Sequence, residues 1–295
     1  MTARPTGFAA AFQTPNVRRV LVLAAVVGAL LGLETLTLHL VTDPLADVHA
    51  YYDAGARLNA GQPLYVQTAT TDDAAFYRYP PLLAIAFRPL ALLPFGVAAA
   101  IWETLLVGLF VLTVVRLGPR RRSTWLVLGM LALPTAWSLV IGQAQVAVTL
   151  LMTIGSPWAL ALATNLKVLP ALAAIAWIGR RDWRSLGWFA ISLAVLGLLQ
   201  LALEPAGTAA FPGFLGFGQV GDVANRSLYA ISPWLWAGAV LAGIVVAWRL
   251  APTRWGWPAA VALSVLATPR LLIYQLSTLA AGLGGPGRPA EDTRR

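Results

Sequence analysis

Five clusters of arginine, spaced by apolar stretches, constrain this chain more than any other feature. They are Arg4, Arg18 and Arg19; Arg116 with Arg120, Arg121 and Arg122; Arg180, Arg181 and Arg184; Arg249 and Arg254; and Arg288, Arg294 and Arg295. Long apolar segments lie between them at 20–41, 96–115, 125–141, 186–203 and 233–248. Shorter ones lie at 81–93, 146–154, 168–178, 258–267 and 271–283. As a helix, 20–41 would span about 33 Å, enough to cross a bilayer core. Only 11% of the 295 residues are charged and 58% are hydrophobic, whereas a soluble domain carries about 25% charged residues. That balance excludes a soluble globular protein, a disordered chain and a nucleic-acid-binding module.

The net charge of +9 follows the same pattern, because 15 of the 21 cations sit in the five clusters. By the positive-inside rule the clusters are cytoplasmic, so the basic balance is a topology signal. The chain then makes four excursions to the outer face, with at least eight crossings. Asp43, Asp47, Asp53, Asp72, Asp73, Glu204 and Asp222 all fall in the outward loops. Several segments are too short to span untilted, which predicts broken or re-entrant helices around an enclosed cavity. A full crossing by 81–93 would put Arg120–Arg122 outside, so that stretch is expected to dip in and return. The expected fold is an all-α polytopic membrane protein, a single integral domain over 1–295. Its first outward loop is 42–79 and its cytoplasmic tail 284–295. No cleavable leader is expected before Arg19. With no cysteine and two histidines, neither a disulfide framework, a metal site nor any cofactor is expected.

Polar residues gather at the outward ends of the apolar segments. Within the first loop, 47–60 has the spacing of an amphipathic helix, with Val48, Tyr51, Tyr52, Gly55 and Leu58 on one side. Beyond it come Tyr77, Arg78 and Tyr79 before a double proline; Gln143; Asn165 and Lys167; Asn225 and Arg226; and Arg270 with Tyr274. Clusters from distant parts of the chain on one face and at one depth point to an outward-facing site. Arg78, Lys167, Arg226 and Arg270 suit it to an anionic headgroup such as a phosphate.

Each of these residues also has a plainer reading. Asp47 opens a helix, so its carboxylate suits either an N-terminal cap or proton transfer. Asp43 and Asp72–Asp73 fit turns and solvated loop. His49 suits either an interfacial position or the orienting of a carboxylate. Lys167, the single lysine, lies where an ionised group is costly, unless it snorkels to the interface. Arg78 and Arg270, each near proline, suit anchoring as well as binding. Glu34 and Glu103 lie inside long apolar segments, as functional groups or as neutral hydrogen-bonded ones.

The runs Ala46-Asp47-Val48-His49-Ala50-Tyr51-Tyr52 and Ala60-Gly61-Gln62-Pro63-Leu64-Tyr65 resemble the first outward loop of glycosyltransferase family 87. In the family's order there follow Phe76-x-Arg78-Tyr79-Pro80-Pro81, Gly142-Gln143, Lys167-x-x-Pro170, Asn225-x-Ser227-Leu228 and Pro269-Arg270. Ile273-Tyr274-Gln275 stands where many members carry a histidine beside the tyrosine. The resemblance implies a GT-C-like bundle of about eight to ten transmembrane or re-entrant helices. It implies transfer of a sugar, mannose in the typical case, from a polyprenyl-phosphate donor to a lipid or glycan acceptor. The site would face outward from a bacterial cytoplasmic membrane, with Asp47 as general base. Lys167, Arg78 and Arg270 would hold the phosphate, with Tyr79, Gln143, Asn225 and His49 beside the substrate and no metal. The rival reading is a transporter or flippase of a polyprenyl-linked or anionic lipid. It predicts internal repeats and polar groups through the membrane depth, and the chain shows no repeat.

Overall fold

The computed structural model describes residues 15–42, 45–66, 77–214 and 225–286, and the described residues are helical with no strand. Asp43, Pro44, Asp72, Asp73, Phe76, Asp222, Arg4 and the tail beyond 286 lie outside them. Four helices are long and apolar enough to cross a membrane: α1 (Pro15–Thr42), α4 (Phe95–Leu117), α10 (Trp183–Leu203) and α12 (Pro233–Leu250). A fifth pass is a bent pair, α5 (Arg122–Met130) and α6 (Ala132–Val140), meeting at 65°. Pro134 explains the bend. It has no N–H to donate back along the helix, and its ring crowds the carbonyl of residue 130 where α5 stops.

The other passes are short. They are α7 (Gln145–Ile154), α8 (Pro157–Leu166), a 3₁₀ segment Leu169–Ala174 running into α9 (Ile175–Arg180), and α13 (Gly256–Leu266). A second 3₁₀ segment, Ile273–Leu283, follows α13. An α-helix of ten residues rises about 15 Å, half a bilayer core. These elements are tolerated because they form the protein's interior. Met152, Ala159, Leu160, Ala163, Ala173, Trp177, Ala260 and Val261 are among the buried residues of one cluster. The long helices surround them with their side chains outward, so apolar surface faces lipid. α1 is held to the bent pair through Gly28 and Gly32, where an added Cβ would strike Gly129 O and lie 2.8 Å from the Ala132 Cβ. That four-residue glycine spacing lets two membrane helices approach backbone to backbone.

The chain turns alternately at two poles. At one, the Arg180 guanidinium donates to Ala251 O (2.7 Å) and Pro286 O (3.4 Å), and Gly285 N–H donates to Thr153 O (2.9 Å). The described arginine clusters lie on turns of this pole. The opposite pole carries α2 (Ala46–Asn59), the seven-residue α3 (Pro81–Phe87), α11 (Pro205–Phe214) and the turns before α7, after α8 and after α13. At about 10 Å long, α3 cannot cross. A one-turn 3₁₀ stretch, Leu90–Leu92, then leads back to α4. The apolar face of α2 (Val48, Tyr51, Ala54, Gly55, Leu58) is buried against α3 and α4 and not laid on lipid.

Candidate active site

The pole opposite the arginines holds the site. α2 starts from Leu45, whose φ of 63° is left-handed and costs a side-chain-bearing residue about 1–2 kcal/mol. The strain is held in place by backbone pairing: Leu45 N–H donates to Val140 O (2.9 Å) and Asp47 N–H to Ile141 O (3.0 Å). The first amides of α2 thereby meet the last carbonyls of α6, so neither helix end is orphaned. No side chain caps α2. The Asp47 carboxylate is accordingly not spent on a cap, and the plainer reading of that residue falls away.

Gly142 completes this junction. Its φ is +69°, its carbonyl accepts from Trp102 Nε1 (2.8 Å), and an added Cβ would run into Val48 and lie 2.7 Å from Glu103 Oε1. Gly142→Ala is expected to cost at least about 2 kcal/mol, from the left-handed backbone and the overlap together. A lowered melting temperature in detergent would show it; an unchanged one would mean that α2 and the α6–α7 turn are not locked as described.

From this turn a hydrogen-bond chain runs to Asp47, and its polarity is set at its origin. Ala144 N–H can only donate, and it donates to Tyr51 OH (3.2 Å). Tyr51 OH donates to Gln143 Oε1 (2.7 Å), Gln143 Nε2 donates to Tyr79 OH (3.0 Å), and Tyr79 OH donates to Asp47 Oδ1 (3.4 Å). Tyr79 OH also lies 3.1 Å from Gln143 Oε1. The Tyr79 hydroxyl can thus turn to Asp47 when the carboxylate is ionised, and to Gln143 when Asp47 carries a proton and donates in its turn. Both protonation states of Asp47 are satisfied. Tyr65 OH fixes the Tyr79 backbone by donating to its carbonyl at 2.8 Å.

Cations surround this carboxylate. Lys167 Nζ lies over the rings of Tyr79 (5.3 Å to the centroid) and Tyr274 (4.9 Å), a cation–π arrangement between two phenols. The charges of Lys167 and Arg78 act on Asp47, and that of Arg270 acts on Lys167. Burial raises the Asp47 pKa above the usual carboxylate range; the Lys167 charge, the Tyr79 hydrogen bond and the Arg78 charge oppose it. Burial likewise lowers the Lys167 pKa, with Asp47 opposing and Arg270 adding to the shift. Burial, then the Asp47 charge, pushes the Tyr79 hydroxyl up, so it stays a neutral donor. Among the described residues Lys167, Arg78 and Arg270 thus share one neighbourhood with Asp47, a cation-rich setting that suits an anionic group. Among the described residues, no three His, Cys, Asp or Glu side chains gather as metal ligands would.

Of the residues singled out from sequence, Asp47, Tyr79, Gln143, Lys167, Arg78 and Arg270 come together here. Asn225 works one step removed. Its Nδ2 donates to Pro269 O (3.0 Å) and its Oδ1 accepts from Ser227 N (2.9 Å) and Leu271 N (3.0 Å), which pins the backbone on both sides of Arg270. His49 is exposed and its ring stacks on Phe95 at 3.8 Å. Arg226 is exposed, with its N–H donating to Leu271 O. Tyr51 was legible only as part of a buried helix face, although its spacing of four from Asp47 puts both side chains on one side of α2.

Residues 76–281 match the model of Glycosyltransferase family 87. The chain is 30% identical over 206 residues to a polyprenol-phosphate-mannose-dependent alpha-(1-2)-phosphatidylinositol pentamannoside mannosyltransferase of Mycolicibacterium smegmatis, covering 61% of this chain and 50% of that protein. It is 26% identical over 218 residues to a protein of the same description from Mycobacterium tuberculosis, covering 66% of this chain and 49% of that one. The chain spans about half the length of these curated relatives. No solved structure matches it. Asp47 lies upstream of the family match, so its place in the site rests on the geometry above. Tyr79, Gln143, Lys167, Arg270 and the fold that gathers them lie within it, and the chain belongs to glycosyltransferase family 87.

Proposed function

We propose that this protein is a membrane glycosyltransferase with Asp47 as its general base. It moves a sugar, mannose by the relatives' example, from a polyprenyl-phosphate donor to a hydroxyl of a lipid or glycan acceptor. The reaction takes place on the outer face of the bacterial cytoplasmic membrane, since the site lies at the pole away from the arginine turns. The single observation that carries this reading is a half-buried, hydrogen-bonded carboxylate in one cluster with an ammonium and two guanidinium groups. The chain, residues 1–295, acts as a single integral membrane domain.

The chemistry follows from that arrangement. The acceptor oxygen attacks the anomeric carbon while the bond from that carbon to the phosphate oxygen breaks, its electron pair leaving with the polyprenyl phosphate. The proton of the acceptor hydroxyl passes to Asp47, whose raised pKa makes it a stronger base than an exposed aspartate. Tyr79 then turns its hydroxyl to Gln143 and accepts from the protonated Asp47. Lys167, Arg78 and Arg270 hold the phosphate as charge builds on it, so no strong general acid is required. The lipid-transporter reading has less behind it, because the ionisable residues of the site gather at one pole.

The test is transfer in proteoliposomes from labelled polyprenyl-phosphate-mannose to a phosphatidylinositol mannoside pool. Labelled product that depends on the protein supports the reading. Protein-dependent movement of the donor across the bilayer without product would replace it with the transporter.

Tyr79→Phe separates the hydrogen bond from the rest of the site. Without that donor the carboxylate loses a group that favours its ionised form, so the Asp47 pKa rises further. Activity is lost as pH falls through that pKa, and the acid limb of the pH–rate profile moves to higher pH. Turnover at neutral pH should fall about tenfold. An acid limb that stays in place would remove Tyr79 from contact with the base.

A further inference from the structure

The helix α1 carries an ionisable group that neither the fold nor the site uses. Glu34 lies about 22 Å along α1 from Arg19 and about 12 Å from Thr42, inside a hydrocarbon core of about 30 Å. α1 packs on α5 and α6 through Ala25, Gly28, Gly32 and Thr35. Glu34 falls on the far side of the helix from these four and is exposed. Its carboxyl has no hydrogen-bond or ion-pair partner among the described residues. A carboxyl that faces lipid is costly and marks a function by default. In hydrocarbon it is carried as the neutral acid, one O–H donor beside one carbonyl acceptor.

The residues that share its face are Leu23, Val27, Leu30, Thr37 and Val41, all of them exposed. With Glu34 they step along α1 by four and three residues in turn, which is the a/d seam of a helix pair. The Thr37 hydroxyl turns back to the carbonyls of Leu33 (3.1 Å) and Glu34 (2.8 Å). Glu34 is therefore the polar group that the stripe leaves to a partner.

We propose that this stripe is a homodimer seam, in which α1 packs on α1 of a second copy and the two Glu34 carboxyls hydrogen-bond to each other across the two-fold axis. Two features favour a second copy over another membrane helix. A neutral carboxyl is self-complementary, the O–H of each finding the carbonyl oxygen of the other. Two copies inserted with the same topology also carry Glu34 at the same depth, so a parallel pair sets the two stripes in register. The seam lies on the side of α1 away from the rest of the bundle, and the inference does not depend on the transferase reading.

The chain has no cysteine, so a single introduced one reports a single position. In proteoliposomes of the full chain, Leu30→Cys is expected to give a disulfide-linked dimer on mild oxidation. Ala29→Cys, equally exposed but turned about 100° off the seam, is not. Energy transfer between labelled copies, followed as lipid is diluted, gives the dimer affinity. Glu34→Leu is expected to weaken it about 5- to 30-fold. Glu34→Gln, which keeps a donor and an acceptor, should stay within about threefold of the wild type. Neither variant should move the melting temperature, because the carboxyl meets nothing within the described residues. A wild type that stays monomeric at every protein-to-lipid ratio would overturn the seam and leave a different membrane protein as the partner of Glu34. A dimer just as tight in Glu34→Leu, or one that links through Ala29→Cys and not through Leu30→Cys, would overturn it as well.

Discussion

Asp47→Asn is expected to lower the turnover number about 10³-fold while leaving donor affinity within about threefold. The range for a positioned general base is 10²–10⁴, and Asp47 belongs toward the middle of it. Its burial strengthens it as a base, but the phosphate leaving group needs no matching acid. Asparagine keeps the shape and can still accept from Tyr79 through its Oδ1, so the chain from Ala144 N–H to residue 47 survives. The backbone bonds that hold α2 to α6 involve no side chain at position 47. The melting temperature in detergent should therefore stay close to that of the wild type, which separates lost chemistry from lost fold. A variant with more than about a tenth of the wild-type turnover would remove Asp47 from the proton transfer.

Lys167→Met is the second large effect, about 10²- to 10³-fold in kcat, with weakened donor binding in addition. A positioned cation that meets charge as it develops is worth about that much when removed. The signature differs from that of Asp47→Asn in two ways. Donor affinity falls, because the same ammonium meets the ground-state phosphate. The acid limb of the pH profile also moves to higher pH, because the largest influence opposing the burial of Asp47 is the Lys167 charge. Methionine fills much of the same space between Tyr79 and Tyr274, so the rings need not collapse. Full activity in this variant would mean that Arg78 and Arg270 suffice for the phosphate.

Much of this was readable from residue order alone, because membrane insertion imposes simple rules. Arginine turns alternating with apolar segments give the polytopic class, and the lone lysine between apolar stretches marks a costly charge. Other features depend on contacts between residues distant in sequence. Five passes are full length only if α5 and α6 count as one, and the rest are half-length elements inside the protein. Hydropathy finds such elements but cannot say that they stay away from lipid. The bend at Leu131 follows from Pro134, a local signal. The left-handed Leu45 follows from the α6 carbonyls it meets, and nothing at position 45 announces it. Asn225 is a polar residue in a polar cluster by sequence. Only the carbonyl of Pro269 and the N–H of Leu271 show that it shapes the turn carrying Arg270. Tyr51 was hidden for the opposite reason, since a buried tyrosine on an amphipathic face looks like core until its hydroxyl is traced to Gln143.

Burial acts on the two central groups in opposite directions, and the consequence bears directly on the central claim. A raised Asp47 pKa means that activity appears at a higher pH than a free carboxylate would allow. A lowered Lys167 pKa means that it disappears at a lower pH than a free amine would allow. The profile should be a narrow bell whose two apparent constants belong to the coupled pair. The most direct test is single-turnover transfer from labelled polyprenyl-phosphate-mannose across pH, in proteoliposomes of the wild type and of Asp47→Asn. The account predicts a narrow bell for the wild type and, in the variant, a small residual rate with no acid limb. A variant whose rate retains the wild-type acid limb would contradict it, because some other group would then be taking the proton.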